Sequence, residues 1–158
     1  MIRLAEVKYN VNMVHQNNEI PTAGLLRLAY NILSARIFRA VVDAGHSDLR
    51  PSHGNVFEQL TFSDGRRLSE LASSAGMTAQ SMSELVDDLE RKGYVERRPD
   101  PTDRRAKRIH LTDKGHTNVL VGMAAAAESD EYVRRILGEQ RHHELRELLQ
   151  QIISIDEE

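Results

Sequence analysis

The sequence contains no cysteine and no tryptophan, and aromatic residues make up only 4% of its 158 residues. Without cysteine there is no disulfide framework, no thiolate metal site and no thiol redox sensor. So few rings argue against a lectin, an RNA-stacking platform or an aromatic cage. No apolar run approaches the roughly 18 residues of a membrane span, and the start shows no secretory pattern. A cytoplasmic location without a membrane partner is therefore expected. There is also no Gly-rich phosphate loop, no Gly-x-Ser-x-Gly and no His-Glu-x-x-His, so an enzyme is not expected. Seven histidines are present. His143 has Glu139 and Glu147 four residues to either side, a spacing that reads first as a solvated ion-pair row. His110 and His116 share no element, and no metal and no cofactor are expected.

Charge is present in quantity but unevenly placed. The formal net charge is −3. Residues 91–108 nevertheless hold eight basic and three acidic side chains, a local net of +5 inside an otherwise acidic chain. Arg91, Lys92, Arg97, Arg98, Arg104, Arg105, Lys107 and Arg108 form that cluster. Such a segment is either a solvated loop or an electrostatic footprint for phosphates.

Apolar spacing predicts a mostly helical chain. Leu4, Val7, Val11 and Val14 line one side of a helix that Pro21 ends. With Thr22 as N-cap, Gly24–Val42 carries apolar positions wide enough to be buried on more than one side. Pro51 opens a short helix through Leu60. Ser63-Asp64-Gly65 reads as a turn, and Leu68–Ala75 as a short helix. Thr78 caps a helix over 79–92, where Met82, Leu85, Val86 and Leu89 make a clean buried stripe. Tyr94–Arg98 and Lys107–Thr112 read as two strands around a Pro-rich turn, with Ile109 and Leu111 inward and Arg108 and His110 outward. Thr112 or Asp113 caps a long helix to Leu137. After Gly138 a last helix over 143–155 carries Leu145, Leu148, Leu149, Ile152 and Ile153.

The two short helices and tight turn form a helix-turn-helix, whose second helix would enter a DNA major groove. With the apolar stripe buried, Gln80, Glu84, Asp87 and Arg91 lie opposite it, with Ser83 beside them. Gln80 is the strongest base reader, because a carboxamide bonds adenine bidentately. Thr78 and Ser81 sit where a helix N-terminus attracts phosphate. Glu84 and Asp87 would repel DNA unless they stand above the groove or, for Glu84, accept from cytosine. The basic hairpin is a wing, able to place Arg in the minor groove. Arg97, Arg98, Arg104, Arg105 and Lys107 are its phosphate or minor-groove contacts. Asp103 is spaced to hold a nearby guanidinium in an extended pose.

The stretch Asp100-Pro-Thr-Asp-Arg-Arg-Ala-Lys-Arg-Ile-His-Leu-Thr112 resembles the wing of the multiple-antibiotic-resistance regulator (MarR) family. Its pattern is met by Asp103, Arg105, Ile109, Leu111 and Thr112. Leu68–Ala72, Met77-Thr78 and Leu85–Val95 fit the same family, and the resemblance is specific over about residues 50–112. It implies a winged helix-turn-helix flanked by N- and C-terminal dimerisation helices, in a homodimeric transcription factor, usually a repressor tuned by a small molecule. The recognition helix departs from the pattern in starting with a small residue, Ala79. The resemblance assigns no role to residues 1–20.

Three regions follow: N-terminal dimerisation helices over 1–48, a DNA-binding lobe over 49–112 and C-terminal dimerisation helices over 113–158. The expected partners are double-stranded DNA with an inverted-repeat operator and a second copy of the chain, through Leu25, Leu145, Leu148, Leu149 and Ile152. By the same resemblance, a small aromatic or anionic effector would sit near Arg36, Arg39, His46, His53, Phe57 and His116. The plainer reading of those arginines is an ion pair with Asp43 or Glu58. The rival function is a winged-helix interaction module that binds an acidic protein.

Overall fold

Helical periodicity accounts for most of the architecture. The computed structural model describes residues 20–103 and 105–154. The expected helix carrying Leu4, Val7, Val11 and Val14, and the wing residue Arg104, lie outside them. The described elements are α1 (Thr22–Asp43), a 3-10 turn (Pro51–His53), α2 (Gly54–Thr61), β1 (Arg66–Arg67), α3 (Leu68–Ser74), α4 (Ala79–Arg91), β2 (Val95–Pro99), β3 (Lys107–Leu111), α5 (Asp113–Leu137) and α6 (Glu139–Ser154). Residues 1–34 and 35–158 form two units, with the boundary inside α1.

The helix starts differ slightly from the sequence expectation. Thr22 is the first residue of α1 rather than its cap, and the Pro21 carbonyl accepts from the Gly24 and Leu25 N–H groups at 2.8 and 3.1 Å. The wide apolar stripe of α1 buries only Val41, while Leu25 and Ile32 remain about half exposed. Among the described residues, α1 is therefore not buried on several sides. Gly138, at φ +78°, separates α5 from α6. Its carbonyl accepts from the His142 N–H at 3.0 Å, so α6 begins at Glu139 rather than 143.

The expected hairpin is part of a three-stranded antiparallel sheet in the order β1-β3-β2. Val95 pairs with Leu111 and Arg97 with Ile109, and Arg66 pairs with Ile109 from the other side. A two-residue strand has no alternation to read, which is why β1 was invisible in the sequence.

The sheet, α2, α3 and α4 enclose one core. Val56, Leu60, Leu71, Met82, Val86, Leu89, Tyr94, Val95 and Ile109 are essentially inaccessible there. Residue 115 must be glycine, because a Cβ on it would lie 2.1 Å from the Tyr94 carbonyl oxygen. The first turn of α5 is thereby pressed against the strand that follows α4. Thr112 is the α5 cap: its Oγ1 accepts from the Gly115 N–H at 3.1 Å and donates to the Gly93 carbonyl at 2.7 Å.

Candidate nucleic-acid interface

The helix-turn-helix is built from local caps. The Glu70 carboxylate accepts from the Arg67 N–H at 2.9 Å and closes the start of α3. Thr78 accepts from the Ser81 N–H at 3.1 Å and donates to the Ser81 hydroxyl at 2.9 Å. Met82, Leu85, Val86 and Leu89 turn inward as their spacing demands. Gln80, Ser81, Glu84, Asp87 and Arg91 are exposed, and Ser83 is half-buried.

Acidic side chains on α4 are mostly paired. Asp88 receives Lys92 at 2.7 Å, Arg50 and Arg91 at 2.8 Å and His53 at 3.1 Å. The Lys92 hydrogen bond, with Arg50 and His53 nearby, draws its carboxyl down to about 2. His53 Nδ1 accepts from the Arg50 N–H at 3.0 Å, so its Nε2–H donates to Asp88. Burial, with Lys92 and Arg50 beside it, holds His53 below its ordinary value and so neutral. Asp87 and Glu90 are both taken by Arg97. Its Nη2 donates to Asp87 Oδ1 at 2.6 Å, its Nη1 donates to Glu90 Oε2, and its backbone N–H donates to Glu90 Oε1 at 3.1 Å. Glu84 meets only the Gln80 carboxamide, at 3.5 Å.

Three arginines, Arg67, Arg108 and Arg98, stand side by side across the sheet. Like charges in that register repel. Asp100, its side chain wholly buried, resolves the conflict by accepting from Arg67 Nε at 2.8 Å and Arg108 Nε at 2.9 Å. It also accepts from the Thr102 N–H and hydroxyl at 2.8 and 2.7 Å. These bonds, Thr102's first, hold the Asp100 carboxyl well below the usual carboxylate range. Arg108, expected to face out, is half-buried and also donates to the Gly65 carbonyl at 2.8 Å. Arg98 is paired with Glu96, Nε to Oε1 at 3.0 Å.

At the wing tip, Asp103 accepts from the Arg105 backbone N–H at 3.0 Å. It shapes the turn; among the described residues, the carboxylate of the wing that grips guanidinium groups from two strands is Asp100. The side chains of Arg105 and Lys107 are exposed and make no hydrogen bond or ion pair among the described residues. Of the wing cations expected to contact phosphate, these two are free, whereas Arg97 and Arg98 are committed within the chain.

The six expected effector residues do not line one site. His46, His53 and Phe57 are buried in the lobe. Tyr94 donates to Asp48 at 2.7 Å, so His46 Nδ1, 2.9 Å from the phenol oxygen, must donate to it. Phe57 packs edge-on against the Tyr94 ring. Arg39 and His116 are exposed. Arg36 pairs with neither Asp43 nor Glu58. Its guanidinium lies 3.8 Å above the Tyr132 ring and borders an open groove of about 390 Å³ with Ala127, Glu128, Glu131 and Arg135. Of the six, only Arg36 lines this groove. Among the described residues no cluster of three or more His, Asp or Glu is placed to hold a metal ion. No described helix is long and apolar enough to cross a membrane.

Sequence reading missed Asp100, Asp88, Tyr94 and Gly115. Part of the signal for Asp100 was available: the hairpin alone sets Arg98 beside Arg108, and like charges so paired call for a carboxylate nearby. Gly115 carried no such signal, because its neighbour comes from another element.

The profile of the MarR family matches residues 47–106. The HTH-type transcriptional regulator YkoM of Bacillus subtilis is 31% identical over 87 residues, covering 52% of this chain and 56% of its own length. The transcriptional repressor MprA of Escherichia coli is 40% identical over 48 residues, covering 30% of this chain and 27% of its own. The chain thus spans about half the length of the first of these relatives and less of the second. Among solved structures, the repressor CouR bound to a 23-mer DNA duplex superposes with a TM-score of 0.70 at 24% identity, covering 84% of this chain and 92% of that one. A Mycobacterium tuberculosis MarR family protein in complex with salicylic acid gives 0.66 at 24% identity, covering 85% and 98%. These likenesses carry the fold, and the matched profile falls on the helix-turn-helix and wing described above. Residues 47–106 thus resemble the MarR family, on a winged helix-turn-helix fold shared with solved MarR structures.

Proposed function

We propose that the chain is a sequence-specific, double-stranded-DNA-binding transcriptional regulator, a homodimeric repressor released by a small-molecule effector. The observation that carries this reading is the pairing of an exposed polar helix face with an unpaired basic wing tip. Gln80 and Ser81 stand at the N-terminal end of α4, and Arg105 and Lys107 stand free on the wing. Gln80 reads a base edge. Thr78 and Ser81 meet phosphate at the helix start. Arg105 enters the minor groove with Lys107 beside it. Residues 49–112 are the DNA-binding lobe in this reading, and the helices flanking it make the dimer. The DNA-bound repressor of the same fold supports it.

Two recognition helices related by a two-fold axis reach successive major grooves about 10 bp apart, so the operator is an inverted repeat. Selection from a random duplex library, followed by fluorescence anisotropy across salt, tests this. Recovery of an inverted repeat with salt-dependent affinity is the expected outcome. Equal binding to an acidic polypeptide, with no duplex preference, would establish the rival interaction module instead.

The effector reading has its own support. The groove beside α5 places the guanidinium of Arg36 over Tyr132 with Arg135 close by, and a protein of the same fold carries salicylic acid. An aromatic acid is the ligand class that stacks and pairs there. Titration of the protein–operator complex with a panel of aromatic acids should release DNA. If none does, the effector reading fails and the DNA-binding reading stands.

A further inference from the structure

Arg97 projects from the wing strand towards the recognition helix and not towards solvent. Its side chain is 20% exposed, and its fork spans Asp87 and Glu90 on consecutive turns of α4. Those carboxylates are 56% and 39% exposed. Asp87 lies on the face that also carries Gln80 and Glu84. An arginine so engaged presents little free charge to a phosphate, and two uncompensated carboxylates on that helix would oppose any approach to DNA.

Resting on the DNA-binding reading above, we infer that Arg97 is a positioning residue of the recognition helix and not a phosphate contact: it offsets one of the two negative charges of Asp87 and Glu90 and fixes β2 against α4. Glu84, Asp87 and Glu90 then present a net of two negative charges to the duplex instead of three. Electrostatic repulsion is long-ranged compared with a hydrogen bond, so the cancellation acts on every sequence and not on one base pair.

The test is a double-mutant cycle on the full chain, read by anisotropy with a mixed-sequence DNA duplex over a range of salt. Arg97→Gln should weaken binding about tenfold at low salt. Asp87→Asn combined with Glu90→Gln should bind at least as tightly as wild type, with a steeper salt dependence. In that background Arg97→Gln should leave affinity no lower than wild type, because the triple variant carries one negative charge fewer at these three positions. Arg97→Lys, which keeps a cation between the carboxylates, should recover most of the affinity and show that the fold is intact. A triple variant that binds as poorly as Arg97→Gln alone would make Arg97 a direct phosphate ligand and overturn the inference. If the Asp87→Asn/Glu90→Gln protein binds as poorly as Arg97→Gln, the cluster is only a structural clamp, which also overturns it. Wild-type protein that fails to bind the duplex at all would remove the DNA-binding reading itself, and this inference with it.

Discussion

The winged lobe closes its own core, whereas the α5–α6 pair leaves much of its apolar surface open. Val56, Leu71, Met82, Val86 and Leu89 are fully buried by the single chain. On α5 and α6, Leu120, Met123, Ile136, Leu148, Ile152 and Ile153 remain between 46% and 72% exposed. What those two helices bury beyond Ala125 is chiefly small or polar: Gly115, Asn118, Ser129 and His142. His142 sits against Asp130 at 3.1 Å, with Arg134 and Arg146 each 3.3 Å from the same carboxylate. An element with a polar seam inside and large aliphatics outside is one that a further surface must cover. The lobe thus closes without help, whereas the long helices leave large aliphatic side chains uncovered among the described residues.

That contrast can be broken most severely at the one place where the two parts touch through bare backbone. Gly115→Ala forces a Cβ to within 2.1 Å of the Tyr94 carbonyl, and neither backbone can retreat cheaply. Chemical denaturation should show a loss of about 3 kcal/mol. A loss under about 0.5 kcal/mol would show that α5 is not seated on the lobe.

Next in size is the open face. Leu148→Glu with Ile152→Glu should raise the dissociation constant of the proposed dimer about a hundredfold. Sedimentation should then find monomer at concentrations where the parent is dimeric, with helical content preserved. An unchanged mass would move the dimer contact elsewhere.

Acid should weaken the lobe through Asp88 and His53. Asp88, drawn down to about 2, contributes stability that is complete above the ordinary carboxylate value and is lost as pH falls through its own. The lobe should therefore weaken by about 1 kcal/mol between roughly pH 4 and pH 2, and Asp88→Asn should flatten that limb. His53 acts at higher pH. Its folded value lies below the ordinary 6.5, so stability is complete above that value and declines as pH falls beneath it. Thermal melts at stepped pH read both limbs. Identical profiles for wild type and Asp88→Asn would show that the cation cluster contributes nothing.

The smallest effect separates free from committed cations on the wing. Arg105→Ala should flatten the log–log salt dependence of DNA binding by about one phosphate-equivalent per protomer or less, whereas Arg98→Ala, already paired with Glu96, should leave it nearly unchanged. Equal slopes for the two variants would mean that the Arg98–Glu96 pair opens on binding.

Local chemistry was legible without a structure. Met82, Leu85, Val86 and Leu89 announced the buried side of α4 because a helix repeats every 3.6 residues, and periodicity is a property of neighbouring positions. Thr78 and Thr112 were readable as caps for the same reason, and the Pro-rich turn between basic strands marked the wing. Only the tertiary structure decided which charges remain available. The net +5 of residues 91–108 is real in the chain, yet Arg97 is spent on Asp87 ten residues away, and Arg108 on Asp100, which also takes Arg67 from 33 residues upstream. Charge is counted along a sequence but cancelled through space, so among the described residues the cluster contracts to Arg105 and Lys107 once the sheet forms. The two-residue strand β1, the glycine required at 115 and the burial of His46 and His53 follow the same rule. Each is set by a group brought near from another element, and no local spacing encodes that distance.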